Sequence, residues 1–362
     1  MADRDAAPGL ARITVSPRAL QENWLFFRAQ AEGAVCAAVV KADAYGVGLG
    51  IAAPALAEAG CTDFFVAHRH EALAARALVP AEARVFLLNG VMPGEELAQA
   101  QAGIVPVLNS VGQMERWQAA VPGAPCAVHV DTGMSRLGLT PEEALERAEL
   151  IEALAPQLIL SHLACASAPD HPKNAMQRAV FMETCARLPA VPLSLAASAG
   201  ALMGPDYRFD MVRPGIGLYG GGPFDAVAVP LRPVVRLEAP VIQLRDVGPG
   251  DTIGYGSTRE ADRRRRLAVV ALGYADGFLR AGSNRGFGVA RGTVMPVMGR
   301  VSMDLVILDA TSARGLAEGD MVEFLGPAAP LDAQAQACDT IPYELLTGLS
   351  RRAARTVAPT TT

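Results

Sequence analysis

Lysine is scarce in this sequence, and one of its lysines stands where it could do chemistry. Thirty of the 32 basic residues are arginine, and only Lys41 and Lys173 are lysine. Lys41 closes the apolar run 36–41, and glycines at 46 and 48 allow a tight turn after it. Partial burial at a strand end lowers an amine's pKa and makes it a nucleophile toward an aldehyde. The alternative is an ion-paired lysine without a chemical role.

Other polar side chains also stand at the ends of short apolar runs. Eight such runs alternate with stretches of helical spacing: 36–41, 64–68, 85–89, 104–109, 127–131, 158–163, 193–198 and 211–219. The polar residues at or near their ends are Lys41, His68, Asn89, Asn109, Asp131, Arg136, His162, Ser198 and Arg213. In eight-stranded α/β barrels the chemistry lies at the carboxyl ends of the strands, so we expect these side chains to share one site.

The alternation of eight buried strands with helices predicts an α/β fold, a (β/α)8 TIM-like barrel rather than a doubly wound open sheet. Ser16 and Pro17 mark the start of the first helix. Near Gly222 the pattern changes to short β-type runs broken by Gly and Pro. We therefore predict a barrel over 10–228 and a mostly β C-terminal domain over 229–358, joined by an N-terminal strand near 11–15, with a frayed end after Arg355.

Composition limits the kinds of partner. The 32 basic and 37 acidic residues give a formal net charge of −5, so no nucleic-acid partner is expected. The uncharged stretch 188–205 contains three prolines and two glycines, which argues against a membrane-spanning helix. The first twelve residues lack the apolar core of a secretory signal, so we expect no membrane association and a cytoplasmic location.

The cysteines and histidines do not suggest a metal site. The six cysteines are at least 20 residues apart and form no C-x-x-C motif, so we expect reduced, individually buried thiols. His68 and His70 have the spacing of a ligand pair on one strand face, but no third ligand is apparent in the sequence. We predict no bound metal.

Seven segments carry a family resemblance. They are Val39–Gly46, Asp131–Gly138, Arg213–Gly220, Gly254–Gly256, Gly273–Gly277, Gly299–Asp304 and Tyr343–Glu344. In sequence and in order they resemble the bacterial alanine racemases, which depend on pyridoxal 5′-phosphate, and the resemblance extends over roughly residues 10–356. It implies racemisation of L- and D-alanine, supplying D-alanine for cell-wall peptidoglycan.

The resemblance implies two catalytic bases. Lys41 would bind the cofactor covalently and move a proton on one face of the substrate, and Tyr255 from the partner subunit would act on the other. Racemisation removes a proton from one face of Cα and returns it to the opposite face, so two opposed groups are a geometric requirement. A homodimer with shared active sites is therefore expected.

The resemblance also assigns binding residues. The cofactor would be held by Lys41, Tyr45, Arg136, His162, Ser198, Arg213, the backbone of Gly215 and Ile216, and Tyr343. Arg213 would face the pyridine nitrogen and, with His162, would stabilise the phenolate of Tyr255. The substrate carboxylate would contact Arg136 and Met303, and the substrate corridor would be lined by Tyr274, Arg280 and Arg300.

Two departures from the family pattern bear on specificity. His129 replaces a lysine that is often carbamylated and bound to Arg136, and Ala197 replaces a frequent asparagine. A neutral His129 would accept a hydrogen bond from Arg136, and we expect its titration near pH 6.5 to limit activity. Three alternatives stay open: a broader serine and alanine racemase, a related amino-acid decarboxylase, and a non-catalytic pyridoxal-phosphate carrier.

Overall fold

The structure, a computed structural model, describes residues 11–225 and 227–359, which form two compact units. Within this range, one unit comprises residues 20–218, 222–225 and 227–231. The other comprises residues 11–19, 219–221 and 232–359. Residues 1–10, for which the sequence predicts no secretory signal, lie outside the described residues.

The first unit contains eight parallel strand positions in a closed ring. They are Val35–Cys36 with Ala38–Val39, Asp63–Val66, Arg84–Leu87, Ile104–Leu108, Ala127–His129, Ile159–Leu160, Leu193–Ser194 and Met211–Val212. The first seven positions pair in chain order. A bridge between Ala197 and Arg213 joins the seventh position to the eighth, and Met211–Val212 pairs with Val35–Cys36. The predicted (β/α)8 barrel is confirmed.

Helices follow the strands and cover the ring. They are Pro17–Gln30, Leu49–Glu58, Arg69–Arg76, Glu96–Gln101, Val111–Ala120, Pro141–Glu146, Ala148–Leu154, Pro172–Cys185 and Ser198–Leu202. The first begins where the sequence predicts, because Ser16 Oγ accepts the Ala19 N–H and Pro17 takes the first helical position. Inside the ring, the Phe65 and Phe86 rings stack with their centroids 4.5 Å apart.

Several strands end earlier than their apolar runs predict. The last run, 211–219, is a strand only over Met211–Val212, and it continues as a short 3-10 helix over Ile216–Tyr219. Ile216, Leu218 and Tyr219 are nevertheless buried. An apolar run in the sequence indicates that its residues are buried, but not that they pair in a sheet. The run is therefore longer than the strand within it. The residues beyond the strand ends are the ones that form the site.

The second unit is mostly β. Its strands are Arg12–Val15, Val235–Val247, Thr252–Ile253, Arg259–Glu260, Arg265–Val270, Phe287–Ala290, Thr293–Pro296, Val306–Asp309, Met321–Leu325 and Ala354–Val357, and its helices are Leu331–Ala337 and Pro342–Thr347. Arg12–Val15 pairs antiparallel with the long strand Val235–Val247. It also pairs in parallel with Ala354–Val357, so the expectation of a frayed end after Arg355 is wrong for Thr356 and Val357, while residues 360–362 lie outside the described residues. Backbone pairing orders this segment despite its Ala- and Thr-rich composition.

The described residues contain no helix that is both long and apolar enough to span a membrane. In the same part of the chain, no three His, Cys, Asp or Glu side chains cluster as metal ligands. All six cysteines are free, and Cys165 is only half-buried, so the expectation of uniformly buried thiols is wrong at that position. Cys165 lies in an irregular segment after a barrel strand rather than in the packed core.

Candidate active site

Lys41 opens an unusual turn at the end of the first barrel strand. The next four residues, Ala42, Asp43, Ala44 and Tyr45, have φ angles of 53°, 53°, 54° and 56°. Such left-handed backbone costs about 1–2 kcal/mol per residue when the residue is not glycine. The turn is closed by hydrogen bonds from the Gly46 N–H to the Ala42 carbonyl and from the Leu49 N–H to Asp43 Oδ1. Tertiary contacts must offset the strain that remains.

One such contact comes from Glu71, which the sequence reading did not select. Its Oε1 accepts the Ala42 N–H at 2.6 Å. Its Oε2 accepts the N–H groups of Ala67 and His68, the two residues that precede the helix Arg69–Arg76. The spacing of an acidic residue three positions after a helix cap was the available signal, although histidine is not a typical cap residue.

The environment of Lys41 favours the neutral amine. Burial lowers the pKa of Lys41, the Arg136 guanidinium lowers it further, and the Glu71 carboxylate acts in the opposite direction. The net shift is downward from the ordinary value of 10.5. A larger fraction of nucleophilic amine is therefore present at neutral pH than for a lysine in water.

The far end of the same turn forms a small polar cradle. The Ser198 Oγ accepts the N–H groups of Gly215 at 2.8 Å and Gly217 at 3.3 Å. The Tyr45 hydroxyl lies so close to Gly215 that a Cβ there would overlap it. Ile216 opens a 3-10 helix, whose first N–H groups have no partner within the helix. Hydroxyl and backbone N–H donors at this spacing suit a phosphate group.

Arg213 is buried beside these residues and stays charged. Its guanidinium donates to Ser194 Oγ and to the Ser161 carbonyl, and lies 5.9 Å from the centre of the Phe65 ring. Burial lowers the pKa of Arg213 to about 10. A group with that pKa is fully protonated at neutral pH, so the site carries a fixed positive charge.

Two histidines share this positive environment and are held neutral. Burial, together with Arg213 and Arg136, lowers the pKa of His162 to about 3. Burial and Arg213 lower the pKa of His129 to about 4, although Asp131 acts in the opposite direction. The expectation that His129 titrates near pH 6.5 is therefore wrong. The sequence shows that a histidine is present but not the cations that surround it.

Arg136 lies on an exposed loop that Asp131 organises. Asp131 Oδ1 accepts the N–H groups of Gly133 and Met134, and its Oδ2 accepts that of Ser135. Desolvation raises the pKa of Asp131, but these backbone donors outweigh it and the net shift is downward. The carboxylate therefore stays ionised and fixes the loop from which Arg136 projects.

The remaining candidates lie in the second unit, on loops that are bonded to one another. Tyr255 is 72% exposed and flanked by Gly254 and Gly256, both of which approach Arg300. The Tyr274 N–H donates to the Ser302 carbonyl, and the Ala275 N–H donates to the Met303 carbonyl. Ser283 Oγ donates to the Arg280 carbonyl and accepts the Val301 N–H. The structure thus brings Tyr255, Tyr274, Arg280, Arg300 and Met303 into one group of loops.

Arg352 ties two of these loops together. It forms ion pairs with Asp276 at 3.1 Å and with Asp304 at 2.6 Å. Tyr343 lies on the neighbouring helix Pro342–Thr347, whose end at Gly348 approaches Gly277 closely. Ion pairs and close backbone packing therefore fix the loops from which the exposed side chains of this unit project.

Known proteins match both units of the chain. Residues 15–223 match the family described as alanine racemase, N-terminal domain, and residues 234–357 match alanine racemase, C-terminal domain. The chain is 45% identical over 362 residues to the alanine racemase of Rhodospirillum rubrum, with 97% of this chain and 96% of that protein covered.

Solved structures agree with these matches. The alanine racemase from Bartonella henselae with covalently bound pyridoxal phosphate is 40% identical, with a TM-score of 0.92 and coverage of 97% of this chain and 100% of that chain. The biosynthetic alanine racemase from Pseudomonas aeruginosa is 34% identical, with the same TM-score and the same coverage.

Proposed function

This chain belongs to the alanine racemase family and racemises alanine, and we propose that Lys41 and Tyr255 are the two groups that move the α-proton. The observation that carries the proposal is that one turn, 41–45, holds two groups suited to binding the cofactor. The turn begins at the Lys41 amine, whose pKa is lowered, and ends at Tyr45, whose hydroxyl lies against Gly215.

The residues present fit pyridoxal phosphate, the cofactor of this family. Lys41 supplies the amine, and Tyr45, Ser198, Gly215 and Ile216 would hold the phosphate. Gly215 supports this fit, because any side chain there would fill the cradle. Pyridoxal phosphate, when bound, draws electron density from the substrate and makes its α-proton acidic.

Charge in the barrel unit suits a bound anion. Arg213 is positive at neutral pH and supplies the charge, whereas His162 and His129 are neutral and can contribute only as hydrogen-bond donors or acceptors. We assign Arg213 to the ring nitrogen, where a permanent positive charge disfavours an added proton. We assign Arg136 and the Met303 backbone to the substrate carboxylate, and Tyr343 to the phosphate.

The two proton-moving groups must act on opposite faces of the substrate. We assign one face to Lys41 Nζ and the other to Tyr255 Oη of a partner subunit, in a homodimer with shared sites. Tyr255 is 72% exposed on its own chain, which supports a role toward another molecule. Tyr274, Arg280 and Arg300 lie on the loops bonded around it, and we assign them to the substrate corridor.

Ala197, which replaces a frequent asparagine of the family pattern, bears on how strictly the enzyme selects alanine. Ala197 caps the helix Ser198–Leu202 without any side-chain hydrogen bond, so the amide that an asparagine would place beside Ser198 is missing. A racemase that also accepts serine is the competing function that this feature favours.

On the resemblance, we also propose the division into a barrel over 10–228 and a domain over 229–358 joined by the N-terminal strand near 11–15, a cytoplasmic location, and a role in supplying D-alanine for peptidoglycan. The C-terminal domain match supports a racemase over a single-barrel carrier.

A racemisation assay with L-alanine, D-alanine and both serine enantiomers tests the proposed function. The expected result is equal final mixtures from either alanine enantiomer and slower turnover of serine. Borohydride reduction of the enzyme with its cofactor should place the adduct on Lys41 by peptide mass spectrometry. Since Lys173 is the only other lysine, an adduct there, or none, contradicts the assignment.

A further inference from the structure

Glu71 is a buried acid that acts on backbone groups rather than on a basic side chain. It is 8% exposed, and it forms no ion pair with the residues in 11–225 and 227–359. Its two oxygens accept three backbone N–H groups, from Ala42, Ala67 and His68. A buried carboxylate with three such donors is well satisfied, so its position is sharply fixed.

The two oxygens serve different parts of the fold. Oε2 accepts the Ala67 and His68 N–H groups, which is the ordinary work of a helix cap. Oε1 accepts the Ala42 N–H at 2.6 Å, on the neighbouring strand end and 29 positions away in the chain. A capping residue has no need of this second bond, so the bond points to another role.

Ala42 is where such a bond has the most effect. It follows Lys41 directly and is the first of the four residues with left-handed backbone. The last of the four is Tyr45, whose hydroxyl lies against Gly215. Holding the first N–H of this strained turn therefore fixes both Lys41 and Tyr45.

We propose that Glu71 is a positioning residue for Lys41, holding the left-handed turn Ala42–Tyr45 so that the amine and the Tyr45 hydroxyl keep a fixed separation. This inference rests on the proposed function of Lys41. The carboxylate is also the one anion among the charged groups that act on Lys41, since Arg136 acts in the opposite direction and His162 is neutral.

The chain offers a matched control in Glu143. It occupies the same position in the helix Pro141–Glu146, where its Oε2 accepts the Thr140 N–H at 2.9 Å. Glu71→Gln and Glu143→Gln each replace one carboxylate oxygen by an NH2 group, which donates rather than accepts. The single oxygen left in Glu71→Gln cannot accept from Ala42 and from the Ala67 and His68 side together, whereas Glu143 makes no bond equivalent to the one with Ala42. The full chain is compared with both variants.

Two measurements separate positioning from capping. In the cofactor-free chain, amide exchange at Ala42 should rise at least about tenfold in Glu71→Gln and stay at the parental rate in Glu143→Gln. The rate of pyridoxal phosphate attachment should fall several-fold at high pH in Glu71→Gln only. The acid limb of its pH profile should move to lower pH, because the carboxylate that raises the pKa of Lys41 is gone.

A third variant keeps the test decisive if Glu71→Gln does not fold. Glu71→Asp retains the charge but shortens the reach, so Ala42 exchange should rise while the acid limb keeps its parental pH. The proposal is overturned if either Glu71 variant that folds leaves exchange at Ala42 unchanged, or if Glu71→Gln matches Glu143→Gln in attachment. Attachment of the cofactor away from Lys41 in the parent chain would instead contradict the proposed function. Amide exchange at Ala42 would still measure whether Glu71 stabilises the turn Ala42–Tyr45.

Discussion

The His129 imidazole and the Asn109 amide form a pair with 2.8 Å between Nδ1 and Oδ1. The Asn109 Nδ2 donates to the carbonyls of Leu88 and Val107, so its Oδ1 must be the acceptor toward His129. The proton of the neutral ring is therefore on Nδ1, and Nε2 carries the lone pair. Nε2 is therefore the ring atom that the predicted hydrogen bond from Arg136 would need, and among the described residues Arg136 does not form that bond.

Burial of neutral His129 makes stability depend on pH. An unfolded histidine binds its proton near pH 6.5, whereas folded His129 does so near pH 4. Between these values the unfolded state holds more protons, so the free energy of unfolding falls as pH falls, by on the order of 3 kcal/mol in all. His129→Gln should flatten this slope in denaturation measured from pH 7 to pH 4.5, and the exposed His70→Gln should not. Identical slopes in the parent and in His129→Gln contradict this.

Gly215→Ala should weaken cofactor binding. The added Cβ would overlap the Tyr45 hydroxyl and displace it from the cradle. Overpacking of this kind costs about 1–3 kcal/mol, which corresponds to roughly 5- to 150-fold in the dissociation constant. Titration with pyridoxal phosphate measures it. Gly50→Ala is the control, because a Cβ at Gly50 meets nothing within 4 Å, and an equal loss in both variants argues against the cradle.

Tyr255→Phe should suppress racemisation while the cofactor stays bound. Loss of a general base typically lowers the rate by about 10²–10⁴-fold. If Tyr255 serves the L face, exchange of the α-hydrogen with deuterated solvent, followed by NMR, should fall more from L-alanine than from D-alanine. Equal losses from the two enantiomers would count against the assignment. Tyr207→Phe, in the other unit, should leave both rates unchanged.

Mixed dimers should recover activity from two inactive variants. With Lys41→Ala and Tyr255→Phe subunits in equal amounts, half of the dimers are mixed and each has one intact site. Recovery of roughly a quarter of the parental activity is then expected for a two-fold symmetric dimer. Exchange of differently tagged subunits serves as the control. No recovery after verified exchange would place the two residues of each site on the same chain.

Gln99→Met should stabilise the protein. Gln99 is fully buried, and neither of its side-chain polar atoms has a hydrogen-bond partner within the described residues. Removing an unsatisfied buried amide should raise the free energy of unfolding by about 1 kcal/mol. Gln177→Met is the matched control. Buried Gln177 accepts the Ala164 N–H and donates to the His162 carbonyl and to Thr132 Oγ1, so its replacement should lower the free energy of unfolding. Denaturant unfolding measures both, and stabilisation in neither variant contradicts the prediction for Gln99.

The order of elements was predictable because it depends on local pattern. Eight apolar runs alternating with helical spacings led to the closed barrel, and the start of the first helix at Pro17 followed from Ser16. Where the pattern was weak the prediction was incomplete. The glycines at 286 and 288 resemble a turn in the sequence, although Phe287–Ala290 is a strand that pairs with Thr293–Pro296.

The sequence by itself determined the barrel, the polar strand ends and the family motif around Lys41, because these are properties of residue type and spacing. Only the tertiary structure decided how Lys41 is held and which groups near it are charged. The left-handed turn is fixed by Glu71, 29 positions away, and the proton of His129 by Asn109, 20 positions away. Hydrogen bonds and charge effects between residues so far apart depend on the fold that brings them together, and no local pattern encodes them.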